Sequence, residues 1–245
     1  MSESYLAGAY WGCRRESAGE CARRAATFFR LLAECHPSYA RWYEQASSPK
    51  RALELQFEPT EDSFVRFFGK KKYQSDGDGF HFSAWTGHDR QAGEGGMVMI
   101  HCGSDAEGAP NSVRLYFPKE PLGSEPMLTM SVAAGVMRAL AVAWEPDWAV
   151  VTSDDLWEQL SRHGEADTFV GWMTYISHNW GEVLPLTEPV RIKPVEGKGN
   201  LIILTPERLT VTNPEHIALG HRVQRLLEER GLLREVGDQR QTSSA

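Results

Sequence analysis

Tyr5-Leu6-Ala7-Gly8-Ala9-Tyr10-Trp11-Gly12, and the run from Ser17 through Glu20 to Cys35, decide how the rest of this 245-residue chain is read. The first seven residues are short and apolar with aromatic ends, the pattern of a largely buried strand. Gly12 can take the backbone angles a turn needs. Ser17 and Glu20 stand three apart, so the hydroxyl can accept from the Glu20 amide while the carboxylate reaches back to the Ser17 amide. That spacing opens a helix. Cys21, Ala25, Phe28, Phe29, Leu32 and Cys35 then recur at steps of three and four and define one apolar face. Arg14, Arg15, Arg23, Arg24 and Arg30 lie before that face or mostly off it, and Pro37 ends the helix.

Working outward, Ser38 to Gln45 reads as a second short helix, and Pro49 to Leu55 as a helical turn with Ala52 and Leu55 inward. Thr60 caps a helix carrying Phe64, Val65, Phe67 and Phe68, closed by Lys70-Lys71-Lys72 where cations suit the helix dipole. Phe80 to Trp85, Met97 to Cys102 and Ser112 to Phe117 read as a meander of antiparallel strands joined by glycine-rich turns. Pro118, Pro121 and Pro126 mark a break. Beyond it, Leu128 to Trp144 is a helix too apolar to face water on any side, hence central. Trp148 to Val151 is a buried strand, Ser153 caps an acidic helix from Asp154 to Ser161, and Phe169 to Ile176 is a further strand. Val190 to Val195 and Leu201 to Thr205 form a hairpin. Pro214 and Gly231 bracket a last helix with Ile217, Val223, Leu226 and Leu227 inward.

Helices before and after clusters of strands predict an α+β fold, mainly antiparallel sheet with flanking helices. The expected organisation is one domain over residues 1–233, with lobes 1–117 and 128–233 meeting near 118–127, and a polar, disordered tail from 234 to 245.

Apolar residues make up 41% and charged residues 24%, an ordinary soluble composition. No window nears 18 consecutive apolar residues, so no membrane span or membrane partner is expected. Glu3 stands where a signal peptide would carry basic charge. The four cysteines, at 13, 21, 35 and 102, form no C-x-x-C pair. Together these predict a cytoplasmic protein with free thiols.

The net charge of −7 disfavours direct nucleic-acid binding, which needs clustered Lys and Arg. The acids are clustered instead. Glu145 to Asp167 holds seven of them against Arg162 alone, a local −6, and Asp76 to Glu107 holds six against Arg90, a local −5.

Catalytic and metal-binding patterns in the sequence are incomplete. Asp76-Gly77-Asp78-Gly79 resembles the start of a calcium loop, but Phe80 falls at the third ligand position and Gly87 at the twelfth, so a turn is the better reading. Gly197-Lys198-Gly199 lacks the spacing of a phosphate loop. There is no G-x-S-x-G and no H-E-x-x-H. His101 and Cys102 are adjacent on a strand and so point to opposite faces. No catalytic residue, metal site or cofactor is assigned.

Several segments are similar to the immunity protein 52 family: Gly8-Ala9-Tyr10-Trp11-Gly12, Arg14-Arg15-Glu16-Ser17, Glu20-Cys21-Ala22-Arg23-Arg24, Asp147 to Ser153, Val170 to Tyr175, and Asn213-Pro214-Glu215-His216. They span nearly the whole chain. The resemblance implies a cytoplasmic antidote in a bacterial polymorphic-toxin system, directed at a restriction-endonuclease-like DNase toxin often delivered by type VI secretion. It carries over no catalytic residues and does not say which surface meets the toxin.

The charge pattern agrees with that implication, because a nuclease carries positive charge to hold nucleic acid, and an acidic inhibitor can match and be steered to it. Asp154, Asp155 and Glu158, with Trp157 as an apolar anchor, are the first candidate toxin-binding residues. Asp76, Asp78 and Asp89 are a second set, with Trp85 a further anchor. Two alternatives stand beside it: a secretion chaperone or adaptor that binds the effector without inhibiting it, and a small hydrolase using His101, Cys102 or His178. Oligomeric state cannot be read from the sequence.

Overall fold

The computed structural model describes residues 3–75, 79–87, 95–107, 110–118, 127–161 and 168–237. Strand β1 (Tyr5–Trp11) lies near the middle of a single ten-stranded sheet. The other strands are β2 (Trp42–Glu44), β3 (Gln56–Phe57), β4 (Phe80–Trp85), β5 (Met97–Cys102), β6 (Asn111–Tyr116), β7 (Trp148–Ser153), β8 (Met173–Ser177), β9 (Arg191–Val195) and β10 (Gly199–Ile203). Their order is β3-β2-β4-β5-β6-β1-β7-β8-β10-β9, and every pairing is antiparallel. β1 hydrogen-bonds to β6 on one edge and to β7 on the other, so strands from both halves of the chain share one sheet. The helices are α1 (Ala18–Cys35), α2 (Pro49–Ala52), α3 (Glu61–Phe68), α4 (Met130–Trp144), α5 (Asp154–Leu160) and α6 (Pro214–Glu229). This is an α+β fold with an open antiparallel sheet and flanking helices.

Alternation along β1 explains the layering. Tyr5, Ala7, Ala9 and Trp11 point to one face and are buried. Two alanines there leave room for α4 to come close, and Trp11 stacks on Trp144 at 5.6 Å. α4 is buried nearly all round, as its composition requires, because α1 covers the side the sheet does not. Where the two helices cross, a Cβ on Gly135 would meet the Cys35 sulfur at 2.9 Å, so the crossing depends on a residue without a side chain. Ser17 and Glu20 form the expected reciprocal cap. Farther along the same face, Phe57, Phe64, Phe67, Phe68, Tyr73 and Phe82 make an aromatic cluster, with Phe67 and Phe82 stacked at 4.7 Å.

Some elements differ from the sequence reading. Ser38 to Gln45 is not a helix. One 3₁₀ turn, Pro37–Ala40, leads into β2. Tyr39 and Trp42 stack at 5.9 Å and the Trp42 indole donates to the Tyr39 carbonyl, while β2 finds partners in β3 and β4 that no local pattern shows. Leu55 is exposed, and Val65 is 43% exposed because α3 turns Phe64, Phe67 and Phe68 inward. The strand read from Phe169 begins only at Met173. The Gly171 amide donates to the Thr174 hydroxyl, and the Trp172 indole to the Thr205 carbonyl, which holds 169–172 outside the strand, with a bend at Trp172. α6 buries His216, Leu219, Val223 and Leu227, with Ile217 and Leu226 only half-buried.

Of the polar tail, residues 234–237 are described: Arg234 donates to the Trp180 carbonyl at 3.0 Å and its own carbonyl accepts from the Thr168 hydroxyl. No helix among the described residues is long and apolar enough to cross a membrane.

Candidate interaction surface

α5 carries the first acidic candidates. The Ser153 hydroxyl accepts from the Leu156 amide and donates to Glu3, fixing the start of the helix. Leu156 and Leu160 are buried, so Asp154, Asp155 and Glu158 face water, and Trp157 lies half-buried against the core. Asp154 and Asp155 also sit in the first turn, where carboxylates are favoured by the helix dipole. The structure therefore gathers Asp154, Asp155, Trp157 and Glu158 on one short element. Asp76, Asp78 and Asp89 lie outside the described residues.

Glu3 ties this region to the rest of the fold. Its carboxylate accepts from the hydroxyls of Tyr5, Ser153 and Thr210 and from the Val211 amide. Burial works to raise its pKa, but these donors together hold it below the usual carboxylate value.

The segments that carry the family resemblance build a second charged feature, and it is structural. Glu16 has a side chain only 6% exposed, between Arg14 at 3.3 Å and Arg24 at 2.6 Å. The Arg14 contact is an ion pair whose geometry does not make a hydrogen bond. Both arginines donate to the last carbonyls of α4: Arg24 to Ala143, Arg14 to Trp144 and Glu145. Cations there satisfy carbonyls the helix leaves unpaired and oppose its negative end. Glu145, in the left-handed region at φ 48°, pairs with Arg24 and Lys198. Lys198 chiefly, with Arg24 and against the effect of burial, holds the Glu145 carboxyl below its ordinary value.

A group whose folded pKa is depressed contributes stability above its unfolded pKa and loses it as pH falls through the folded one. With Glu3 and Glu145 both shifted down from 4.5, thermal stability is expected to decline on acidification below about pH 4.5. Glu145→Gln should flatten that decline in melting curves recorded across pH. An unchanged profile in the variant would show that Glu145 is not one of the groups responsible.

The third feature was not read from the sequence as a surface, although Trp85 on it was named there as an anchor. The face of β2, β4, β5, β6 and β1 opposite α1, α3 and α4 presents three rungs of register-matched residues. One runs Tyr43, Trp85, Met97, Tyr116, Leu6. The next runs Ser83, Met99, Arg114, Gly8, and the last His81, His101, Ser112, Tyr10. These residues are half-buried, apart from the buried Gly8 and the exposed His81. The Tyr10 ring folds over Gly8, where a Cβ would stand 2.7 Å from it. Past Tyr10 the face closes over: Trp148, its partner on β7, is buried and packs edge-on against Phe169 at 5.4 Å. The sequence signal was present. Trp85, Met97, Met99 and Tyr116 occupy alternate positions that a solvent-facing antiparallel sheet normally fills with polar residues.

Among the described residues His81 faces His101 across β4 and β5 and Cys21 lies beside Cys102 in the core, two separate pairs. His101 is on the open face, while Cys102 is on the buried one beside Cys21, where burial first and the second thiol next push the Cys102 pKa up. His178 lies at the β9–β10 turn with Nδ1 3.1 Å from the Gly197 carbonyl. His216 is buried and accepts from the Thr210 amide. Among the described residues no three His, Cys, Asp or Glu are grouped so as to hold a metal. Trp85 lies on the open face, and Trp180 is buried.

A search of curated proteins returned no match. Among solved structures the fold is similar to the Pseudomonas aeruginosa T6SS protein PA0821, with TM-score 0.54 and 13% identity over 91% of this chain and 72% of that one. The family model for immunity protein 52 matches residues 3–236, which takes in β1, the Arg14–Glu16–Arg24 cluster, α5, the open sheet face and α6. On that match, the chain belongs to the immunity protein 52 family.

Proposed function

We propose that this protein binds and neutralises a cognate nuclease toxin, a DNase effector of a type VI secretion system, in the cytoplasm of the cell that makes the toxin. The observation that carries the reading is the family match over residues 3–236. The structural likeness to a T6SS protein is consistent with it. Residues 1–233 act as one binding unit, supported by the single sheet that both halves build. The protein acts by occupying a surface of the toxin, without a reaction of its own. Asp154, Asp155 and Glu158 supply negative charge toward a nuclease that must be basic where it holds DNA, and Trp157 supplies apolar contact beside them. The undescribed Asp76, Asp78 and Asp89 are a second acidic contribution to the same end.

The test is plasmid cleavage by the toxin domain encoded next to this gene, with and without equimolar protein. Cleavage should stop at equal stoichiometry. Reversing Asp154, Asp155 and Glu158 together to Lys should weaken binding by about 10- to 100-fold, mostly through slower association and with a reduced salt dependence. A stable complex that still cleaves DNA would identify an adaptor instead.

A further inference from the structure

We propose that the open face of β2, β4, β5, β6 and β1 is the principal docking surface for the toxin, and that it receives an apolar toxin surface presenting a carboxylate to Arg114. The inference rests on the toxin-binding reading and goes beyond it, since that reading places the contact on acidic residues.

The composition is the first ground. Trp, Tyr, Met and Arg are the residue types enriched in the buried centre of protein interfaces, and Trp, Tyr and Arg dominate hot spots. The three rungs supply Trp85, Tyr43, Tyr116, Tyr10, Met97, Met99 and Arg114 side by side. Apart from Tyr10, these side chains are not part of the main core or packed against it, so they are not already spent on the fold.

Charge is the second ground, and it selects the occupant. Arg114 sits between Met99 and Gly8, with the Tyr10 ring over Gly8. Its Nε is sealed from water and has no hydrogen-bond acceptor. Among the described residues Arg114 takes part in no ion pair, and unlike the exposed arginines that also have none, it is half-buried with that Nε out of reach of water. The three rungs hold no Asp or Glu, and the other ionisable groups on them besides the tyrosines are His81 and His101. A guanidinium buried further by an incoming apolar surface loses water, and a carboxylate on that surface is the acceptor that restores both its hydrogen bonding and its charge balance. A second copy of this chain could not bring one from the same face, because two-fold pairing of like surfaces would set cation-bearing faces against each other.

The experiment measures binding of the full chain to its cognate toxin domain by calorimetry, with plasmid cleavage in parallel. Arg114→Glu should weaken binding at least ~100-fold and restore cleavage, while leaving the melting temperature close to that of the unaltered protein. Arg114→Lys should lose less. A toxin carrying a compensating Asp→Lys or Glu→Lys change, found by screening its surface carboxylates, should bind Arg114→Glu again. Should Arg114→Glu lower the melting temperature, Trp85→Ala carries the same test and should weaken binding at least ~10-fold. Binding within about threefold of the unaltered protein in whichever of the two variants folds normally would overturn this docking surface and leave the immunity reading intact. If the unaltered protein neither binds nor inhibits the toxin, the immunity reading itself fails, and this inference with it. Sedimentation without toxin completes the test: a dimer that Arg114→Glu dissolves would make the face a contact between copies and overturn the proposal.

Discussion

Glu16→Gln is expected to cost the fold about 3 kcal/mol. The side chain keeps its size, so the loss isolates charge. Glu16 is the carboxylate shared by Arg14 and Arg24, and its side chain is 6% exposed. Without it Arg14 loses its carboxylate and Arg24 keeps only Glu145, in a poorly hydrated junction, and removing one partner of a buried ionic group is costly because the charge left behind is poorly compensated. The same arginines hold the carbonyls of Ala143, Trp144 and Glu145, so the damage should spread to the end of α4. Urea denaturation gives the measurement. Arg30→Ala is the comparison, because it breaks an exposed pair with Glu34 and should change stability by less than about 0.5 kcal/mol. Equal effects from the two variants would mean that the cluster is solvated and contributes little.

Trp144→Ala should cost more, about 4 kcal/mol. Trp144 is fully buried at the end of α4, stacked on Trp11 at 5.6 Å and edge-on to Phe28 at 6.4 Å. It therefore joins the sheet, α1 and α4 at one point. Truncation opens a cavity that three elements would have to close together, and close packing resists that. Trp144→Phe should be much milder, near 1 to 2 kcal/mol, since it keeps a ring in place and deletes an indole N–H that has no hydrogen-bond partner. Both values come from denaturant titration, with near-ultraviolet circular dichroism reporting the aromatic packing. A loss under about 1 kcal/mol for Trp144→Ala would be incompatible with this junction.

The candidate surfaces were legible in part. The acidic character of α5 follows from local pattern, because Ser153 caps and Leu156 and Leu160 supply the buried side. The open face was harder to see. Its residues come from five separated strands, of which β2 lies in a segment that reads as a helix, β1 reads as a buried strand, and β4 to β6 read as a meander with nothing to mark one face as open. Only register brings Trp85, Met97, Tyr116 and Leu6 into a row, and what distinguishes that row from core is that, among the described residues, α1, α3 and α4 all pack on the other face.

By itself the sequence determined those elements whose signals are local: β1, the capping box and apolar face of α1, the apolar α4, the meander of β4 to β6, the β9–β10 hairpin and α6, and with them the α+β class. Periodicity and caps act over a few residues, so they can be read without neighbours. Tertiary structure decided what depends on distant partners. It made a strand of Trp42–Glu44, which pairs with β3 and β4. It delayed β8 to Met173 through bonds from Gly171 and Trp172. It turned Arg14, Arg24 and Glu16 into an anchor for α4 from more than a hundred residues away. Which face of the sheet stays open is settled by where the helices pack, and that is a competition for buried area among elements far apart in the chain.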